Sequence, residues 1–361
     1  FGGATMLLIR HTGLMLQKRD GYLIVSMAWL LMSAIGAFPF VINGCIPNFI
    51  DAFFEMCSGF STTGSSILTD VEALPKSMLF WRSFTNWIGG MGILVFAVAL
   101  LPSLGLSGQV IVQSEAPGPS LSKITPKMTD TAKSLYLIYT GLSIVLIILL
   151  MFGGMDLFDA STHTFATMGT GGFSTYNSSI AAFDSAYIDA VLTIFMLIAG
   201  CNFNLYYMAI TGKAKKAFSD SEFKLFLKIT AVSIVVITLY LFFTDVYPNI
   251  GQSLRYSSFQ VATIITTTGF ATANYDVWPT FCAMVIFILF FIGGCSSSTS
   301  GGLKVIRVSV LGKMLKRTLE QQLHPRAVLD IKENNKIIPS DTVQNIFSFA
   351  LLYWAMVAII G

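Results

Sequence analysis

Residues 253–270 read SLRYSSFQVATIITTTGF. The stretch is semi-apolar as far as Ile265 and then turns into three threonines, a glycine and a phenylalanine. A helix of about a dozen residues rises only ~18 Å, too little to cross ~30 Å of hydrocarbon. Such a segment suits a re-entrant half-helix. Irregular backbone after it is tolerable at membrane depth only where it lines a wet cavity. The same design occurs twice upstream: FIDAFFEMCSGF (49–60) leads into STTGSS (61–66), and LFDASTHTFATM (157–168) into GTGGFS (169–174). Gly64, Gly172 and Gly269 fall about one hundred residues apart, the mark of repeated structural units. One such string is a weak signal, because Ser and Thr often cap membrane helices. Three copies at the same place in a repeat point to an ion path.

The flanking sequence fits a membrane. The 361 residues are 54% hydrophobic and 11% charged, against roughly 25% charge in soluble domains. Uncharged stretches long enough to span occur at 21–44, 86–112, 134–155, 190–212, 277–303 and 342–361. A further one at 225–243 carries only Lys228, which can snorkel to the headgroups. These make seven expected spans, and residues 1–9 read as the tail of an eighth. The fold class is therefore all-α and polytopic, built from repeated helix–pore-loop–helix units. The units are expected at 21–112, 131–212 and 223–310, the third with a broken inner helix. Residues 342–361 open a fourth unit, whose filter string lies beyond this sequence. Residues 1–20, 113–130, 213–222 and 311–341 connect them.

Charge orients the spans. Of 22 Lys and Arg, only Lys76, Arg82 and Arg255 fall in the outer connections; the rest fall at 10–19, 123–133, 213–228 and 304–336. That alternation is the positive-inside bias and makes this an inner-membrane, multi-pass chain. The outer connection 155–190 carries Asp156, Asp159, Asp184 and Asp189 and no base, a composition that would concentrate cations. The basic inner segments attract anionic lipid and offer a surface for a regulatory subunit. Cys45, Cys57, Cys201, Cys282 and Cys295 show no metal-ligand spacing, and His11, His163 and His324 do not cluster. These read as packing or surface residues. The spans hold almost no ionisable side chains, which favours a passive gated path over a coupled carrier and leaves no catalytic set for a membrane enzyme.

The residue types suit K⁺. A K⁺ ion in a narrow pore exchanges its water for rings of backbone carbonyls. Glycine permits the left-handed backbone this requires, Thr and Ser add hydroxyl oxygens, and each half-helix points its partly negative end at the ion. Below the third string, the apolar run 278–292 changes to Gly293-Gly294-Cys295-Ser296-Ser297-Ser298-Thr299-Ser300-Gly301-Gly302. So many small, poor helix formers in one run predict an unwound segment below the filter that obstructs ions when closed.

These strings, with FWRSFTNWIGGMGILV (80–95), EAPGPSLSKITPKMTDTA (115–132) and GGCSSSTSGGLKVIRV (293–308), resemble the Trk/Ktr/HKT superfamily of K⁺ transporters, most of all its bacterial TrkH/TrkG branch. The resemblance implies four units pseudo-symmetric around a central ion pore, each giving one strand of a K⁺ filter. Its strands here are Ser61 with Thr62, Thr63, Gly64 and Ser65; Gly169 with Thr170, Gly171, Gly172 and Phe173; and Thr266 with Thr267, Thr268, Gly269 and Phe270. It also implies gated K⁺ uptake by homodimers, with a cytosolic TrkA-type subunit that binds NAD and ATP. K⁺ is the only ligand and no nucleic-acid partner is expected. A secondary transporter coupling K⁺ to H⁺ or Na⁺ is the alternative.

Overall fold

The computed structural model describes residues 18–100, 128–324, 329–334 and 336–360. The expected helix remnant at 1–9, His11, the far part of span 86–112 and the E-x-PGP segment at 115–119 lie outside the described residues.

The elements repeat as the strings do. Helix α1 (Lys18–Asn43) is followed by half-helix α2 (Phe49–Phe60) and by α3 (Lys76–Leu100). Helix α4 (Met128–Phe152) is followed by half-helix α5 (Leu157–Gly169) and α6 (Ala186–Ala199). After α6 come α7 (Phe203–Met208), a π turn and α8 (Ala214–Phe218). Helix α9 (Ser221–Phe243) is followed by half-helix α10 (Ile250–Ile265), α11 (Thr280–Ile292) and α12 (Val305–Leu323). A two-stranded antiparallel hairpin, β1 (Lys332–Glu333) and β2 (Lys336–Ile337), leads into α13 (Ser340–Ile360).

Each half-helix begins alike. Asn48, Asp156 and Asn249 accept hydrogen bonds from the amides of Ile50, Asp159 and Gln252, satisfying orphan donors of the first turn. Each then buries its apolar face among the long helices, the second and third also against the inner helix of the preceding unit, α3 and α6. Ala52, Met56 and Phe60 pack with Ala37, Phe40 and Leu79. Ala160, Ala166 and Met168 pack with Tyr139, Leu146 and Leu192. Val261, Ile264 and Ile265 pack with Phe226, Ile237 and Ile286. The outer faces are apolar and uncovered: Ile42 is 82% and Phe152 80% exposed, where lipid is the only solvent that suits them.

Among the described residues four helices are long and apolar enough to cross a membrane, five if α6 and Phe203–Phe218 count as one span bent by 92°. The sequence led us to expect seven spans, one of them, 277–303, unwound after residue 292. The differences have local causes. Expected span 190–212 breaks after Ala199, because the Asn202 side chain caps a new helix at Asn204. There the Gly200 carbonyl accepts from Cys295 N–H at 2.8 Å instead of continuing the helix. Span 277–303 is helical only to Ile292, where the unwound run read from the sequence begins and Gly293 turns to φ +77°. Helix α3 starts at Lys76, ahead of residue 86, and kinks at Gly92 (φ 68°). Helix α12 runs on past residue 310 to Leu323, into the stretch that reads as a linker.

Candidate ion pathway

The three half-helices end in one way. The amides of Thr62, Thr170 and Thr267 donate to the carbonyls of Gly59, Thr167 and Ile264, and those of Thr63, Gly171 and Thr268 reach back to Ser58, Ala166 and Thr263, all at 2.8–3.1 Å. This paired closure satisfies the last carbonyls and needs a left-handed residue at its corner. The corner is normally glycine. Here it is Thr62, Thr170 or Thr267, with φ of 56°, 54° and 56°. A β-branched residue in that conformation is strained by roughly 1–2 kcal/mol, and strain held at three equivalent places marks a functional element. Sequence reasoning placed left-handed backbone only at the glycines, and those do adopt it: Gly64 at 77°, Gly172 at 70°, Gly269 at 88°. Left-handed residues therefore alternate with Thr63, Gly171 and Thr268. Such alternation turns successive peptide groups toward one side, the geometry of a carbonyl-lined path.

The strands lie side by side. A Cβ on Gly64 would overlap the carbonyl oxygen of Gly171, and one on Gly172 that of Thr268. Hydroxyls tie strands one and three internally. Ser61 Oγ and Thr63 Oγ1 lie 2.8 Å apart, as do Thr266 Oγ1 and Thr268 Oγ1. Strand two has glycines at both places. Thr170 Oγ1 instead donates to the Gly169 carbonyl at 2.7 Å. Ser65 is exposed, while Phe173 and Phe270 turn inward at 1% exposure.

Behind strand two is an ion pair that the sequence did not reveal. Arg82, expected in an outer loop, sits within α3 at 3% exposure. Its Nε meets Glu55 Oε1 at 2.5 Å. One guanidinium nitrogen donates to the Ser174 carbonyl at 3.1 Å, and the group lies 3.6 Å from the centre of the Phe173 ring. Glu55, fully buried, also accepts from Ser66 Oγ and the Ile67 amide. The pair thus ties the end of strand two to the end of strand one. Glu55→Ala should strand a buried guanidinium and destabilise the protein by about 3–5 kcal/mol. The check is the melting temperature in detergent beside that of Glu72→Ala, an exposed outer carboxylate; equal melting points would remove the pair from the scaffold.

The outer acidic residues are more engaged than composition suggests. Asp156 caps α5, and Asp159 accepts from Thr175 and the Tyr176 phenol. Burial first, and then the Asp159 carboxylate, push the Tyr176 phenol up to about 12. Asp189 and Asp184 meet Arg255 of α10 at 2.6 and 3.3 Å. The base that the connection itself lacks comes from the next unit, so these carboxylates knit the outer surface together.

Residues 293–304 form a non-helical loop between α11 and α12. Gly293, Ser297, Gly302 and Lys304 have positive φ. Gly294 packs on the Gly200 carbonyl and on Ser300. The Ser297 carbonyl accepts from Phe203 N–H, the Ser298 hydroxyl donates to the Cys295 carbonyl, and Thr299 Oγ1 donates to the Ala199 carbonyl. Gly301 N–H donates to Thr267 Oγ1 at 2.7 Å, so the loop touches strand three directly. Glu222, at the start of α9, holds both legs. It accepts from the Ser296 amide and hydroxyl at 2.6 Å each and from the Ile306 amide at 3.1 Å. Lys304 Nζ donates to the Ser300 carbonyl. Glu222 was not legible in sequence, because an acid in a first turn reads as an ordinary dipole partner. Arg307 sits over the Phe349 ring of α13 at 4.2 Å.

Repeated half-helices inside lipid-facing helices define a multi-pass helical membrane transport protein, placed in the inner membrane. The chain belongs to the TrkH family, described as cation transport protein, whose model matches residues 1–361. It is 41% identical over 350 residues to the Trk system potassium uptake protein TrkH of Escherichia coli K12, covering 96% of this chain and 72% of that one. It is 38% identical over 355 residues to TrkG of the same organism, covering 98% and 73%. The crystal structure of the potassium transporter TrkH from Vibrio parahaemolyticus superposes with a TM-score of 0.84 at 36% identity, over 98% of this chain and 72% of that one.

Proposed function

We propose that this protein takes up K⁺ through a gated, channel-like path as the membrane subunit of a Trk-type system. The carrying observation is the threefold recurrence of one backbone device, a left-handed threonine and a left-handed glycine two residues apart at the end of a half-helix. The proposed filter is Thr62–Ser65, Thr170–Phe173 and Thr267–Phe270, contributed by pore units 21–112, 131–212 and 223–310. K⁺ is the cargo. The proposed gate is the loop Gly293–Gly302, hydrogen-bonded to the filter above and to Glu222 at its side. The relatives are named as parts of a Trk system, which supports a cytosolic TrkA-type NAD- and ATP-binding partner, and the resemblance supports a homodimer.

The coupled alternative gains one observation, since Glu55, Arg82 and Glu222, all outside the spans expected from sequence, are buried. Each carboxylate is held by several fixed donors, which suits a scaffold better than a titrating relay. The test is K⁺ flux into liposomes containing the full-length protein. Flux should follow the K⁺ gradient alone and be unchanged by imposed H⁺ or Na⁺ gradients. Uphill K⁺ movement driven by either gradient would establish the coupled reading instead.

A further inference from the structure

Strand two lacks the hydroxyl pair that ties strands one and three, and the space is taken from outside. A Cβ placed on Gly171 would collide with the side-chain carboxamide of Asn86, which comes from α3 of the preceding unit and whose Oδ1 lies 2.7 Å from that point. Gly171 is not a left-handed residue, so its backbone alone does not demand glycine. What excludes a side chain there is Asn86. The asparagine is fully buried, and neither its Oδ1 nor its Nδ2 has a hydrogen-bond partner among the described residues. Burying an unpaired amide costs roughly 1–3 kcal/mol, so a leucine of similar shape would pack there at less cost. Retention of an amide against that cost needs a reason, and strand two is what the amide abuts.

The internal repeat supplies a comparison. Gly90 of α3 abuts Gly169 as Gly200 of α6 abuts Thr266, which aligns Asn86 with Met196. Where the helix offers only the apolar Met196, strand three carries its own hydroxyl on Thr268. Where the strand carries only Gly171, the helix offers an amide.

We infer that Asn86 takes the place, in filter strand two, of the hydroxyl that Thr63 and Thr268 supply in strands one and three, and is a positioning residue for ion discrimination. The inference rests on the filter reading above. In strands one and three the hydroxyl at this place bonds to a second hydroxyl of the same strand, Thr63 to Ser61 and Thr268 to Thr266. In strand two the Asn86 amide packs against that place across the helix–strand contact.

The exchange is testable because Asn86→Ala removes the same number of heavy atoms that Gly171→Thr adds. In the full-length protein, K⁺ and Na⁺ flux are measured in competition for Asn86→Leu, Asn86→Ala, Gly171→Thr and the double variant Asn86→Ala with Gly171→Thr. Asn86→Leu keeps the volume and loses the amide; it should lower K⁺ preference about tenfold, the effect of ~1.4 kcal/mol. Gly171→Thr alone meets Asn86 and should lower both flux and preference. Asn86→Ala with Gly171→Thr should return preference to within about threefold of the parent. If Asn86→Ala alone fails to insert, restored insertion in the double variant supports the exchange and continued failure overturns it. Parental preference in Asn86→Leu would show a packing role only and overturn the inference, as would a double variant no better than its worse single. Gly172→Ala, measured in parallel, separates the two readings. If it lowers preference while Asn86→Leu does not, only Asn86 is excluded; if neither does, the filter reading fails first.

Discussion

Gly172→Ala and Gly64→Ala should abolish K⁺ preference, while Gly44→Ala leaves it intact. All three glycines are left-handed, at φ of 70°, 77° and 81°, so an added methyl carries a similar backbone penalty of roughly 1–2 kcal/mol at each. They differ in what the methyl meets. At Gly44, in the outer turn after α1, nothing lies within 4 Å of a Cβ. At Gly172 and Gly64 the methyl would fall on the carbonyl oxygens of Thr268 and Gly171. Those are backbone atoms and cannot swing aside as a side chain would. Overpacking adds about 1–3 kcal/mol, and relief comes only by turning the neighbouring carbonyl, the group proposed to face the ion. One substitution should thus disturb two strands. Competitive K⁺ and Na⁺ flux checks this, with melting temperature as the fold control. Equal preference in Gly172→Ala and Gly44→Ala would place the filter elsewhere.

Glu222→Ala should raise K⁺ flux by about tenfold or more and make it less dependent on the proposed regulatory partner. The carboxylate accepts three hydrogen bonds that together hold residues 296 and 306, the two legs of the loop. Hydrogen bonds to a charged group contribute about 1.5–3 kcal/mol each. Losing even one net contribution from the closed arrangement would shift an open–closed balance by a factor of ten or more. Glu222→Gln keeps an acceptor and should fall between. Ion preference should stay near parental, because the loop meets the filter through Thr267 Oγ1 rather than through the glycines. Shortening Ser296–Ser300 should act in the same direction. Low, partner-dependent flux in a Glu222→Ala protein that inserts normally would put the gate outside this loop.

Much of this architecture is written locally. The half-helices are legible because their length, their Asn or Asp caps and their closing Thr/Gly strings are all properties of short segments. The third is longer than its string suggests only because Asn249 caps it early. The unwound run after Ile292 is legible for the same reason, since so many small residues cannot hold a helix. What escapes is whatever depends on a partner far along the chain. Arg82 reads as a loop base until Glu55 is brought to it. Asp189 reads as free surface charge until Arg255 arrives from the next unit. Span 190–212 reads as straight because the loop that takes the Gly200 carbonyl lies about a hundred residues on. The strained threonines escape for another reason: propensity assigns a helix-ending corner to glycine, and only the packed structure holds a β-branched residue there.

The contact between the three Thr/Gly strands has a handedness of its own. The glycine of strand one leans on the carbonyl before the glycine of strand two, and strand two leans on strand three in the same way. Each strand therefore offers one kind of face and receives another, a head-to-tail contact in the language of oligomers, although all members belong to one chain. Contacts of that type either close into a ring or run on as an open array. Among the described residues Gly269 has nothing within 4 Å of its Cβ, and Thr63 is exposed. The glycine face of strand three and the outer face of strand one are thus the two docking edges at which any further strand must enter. Because offering and receiving edges differ, such a strand has only one register and one direction in which to fit, and the order of units around the axis follows from the contact itself.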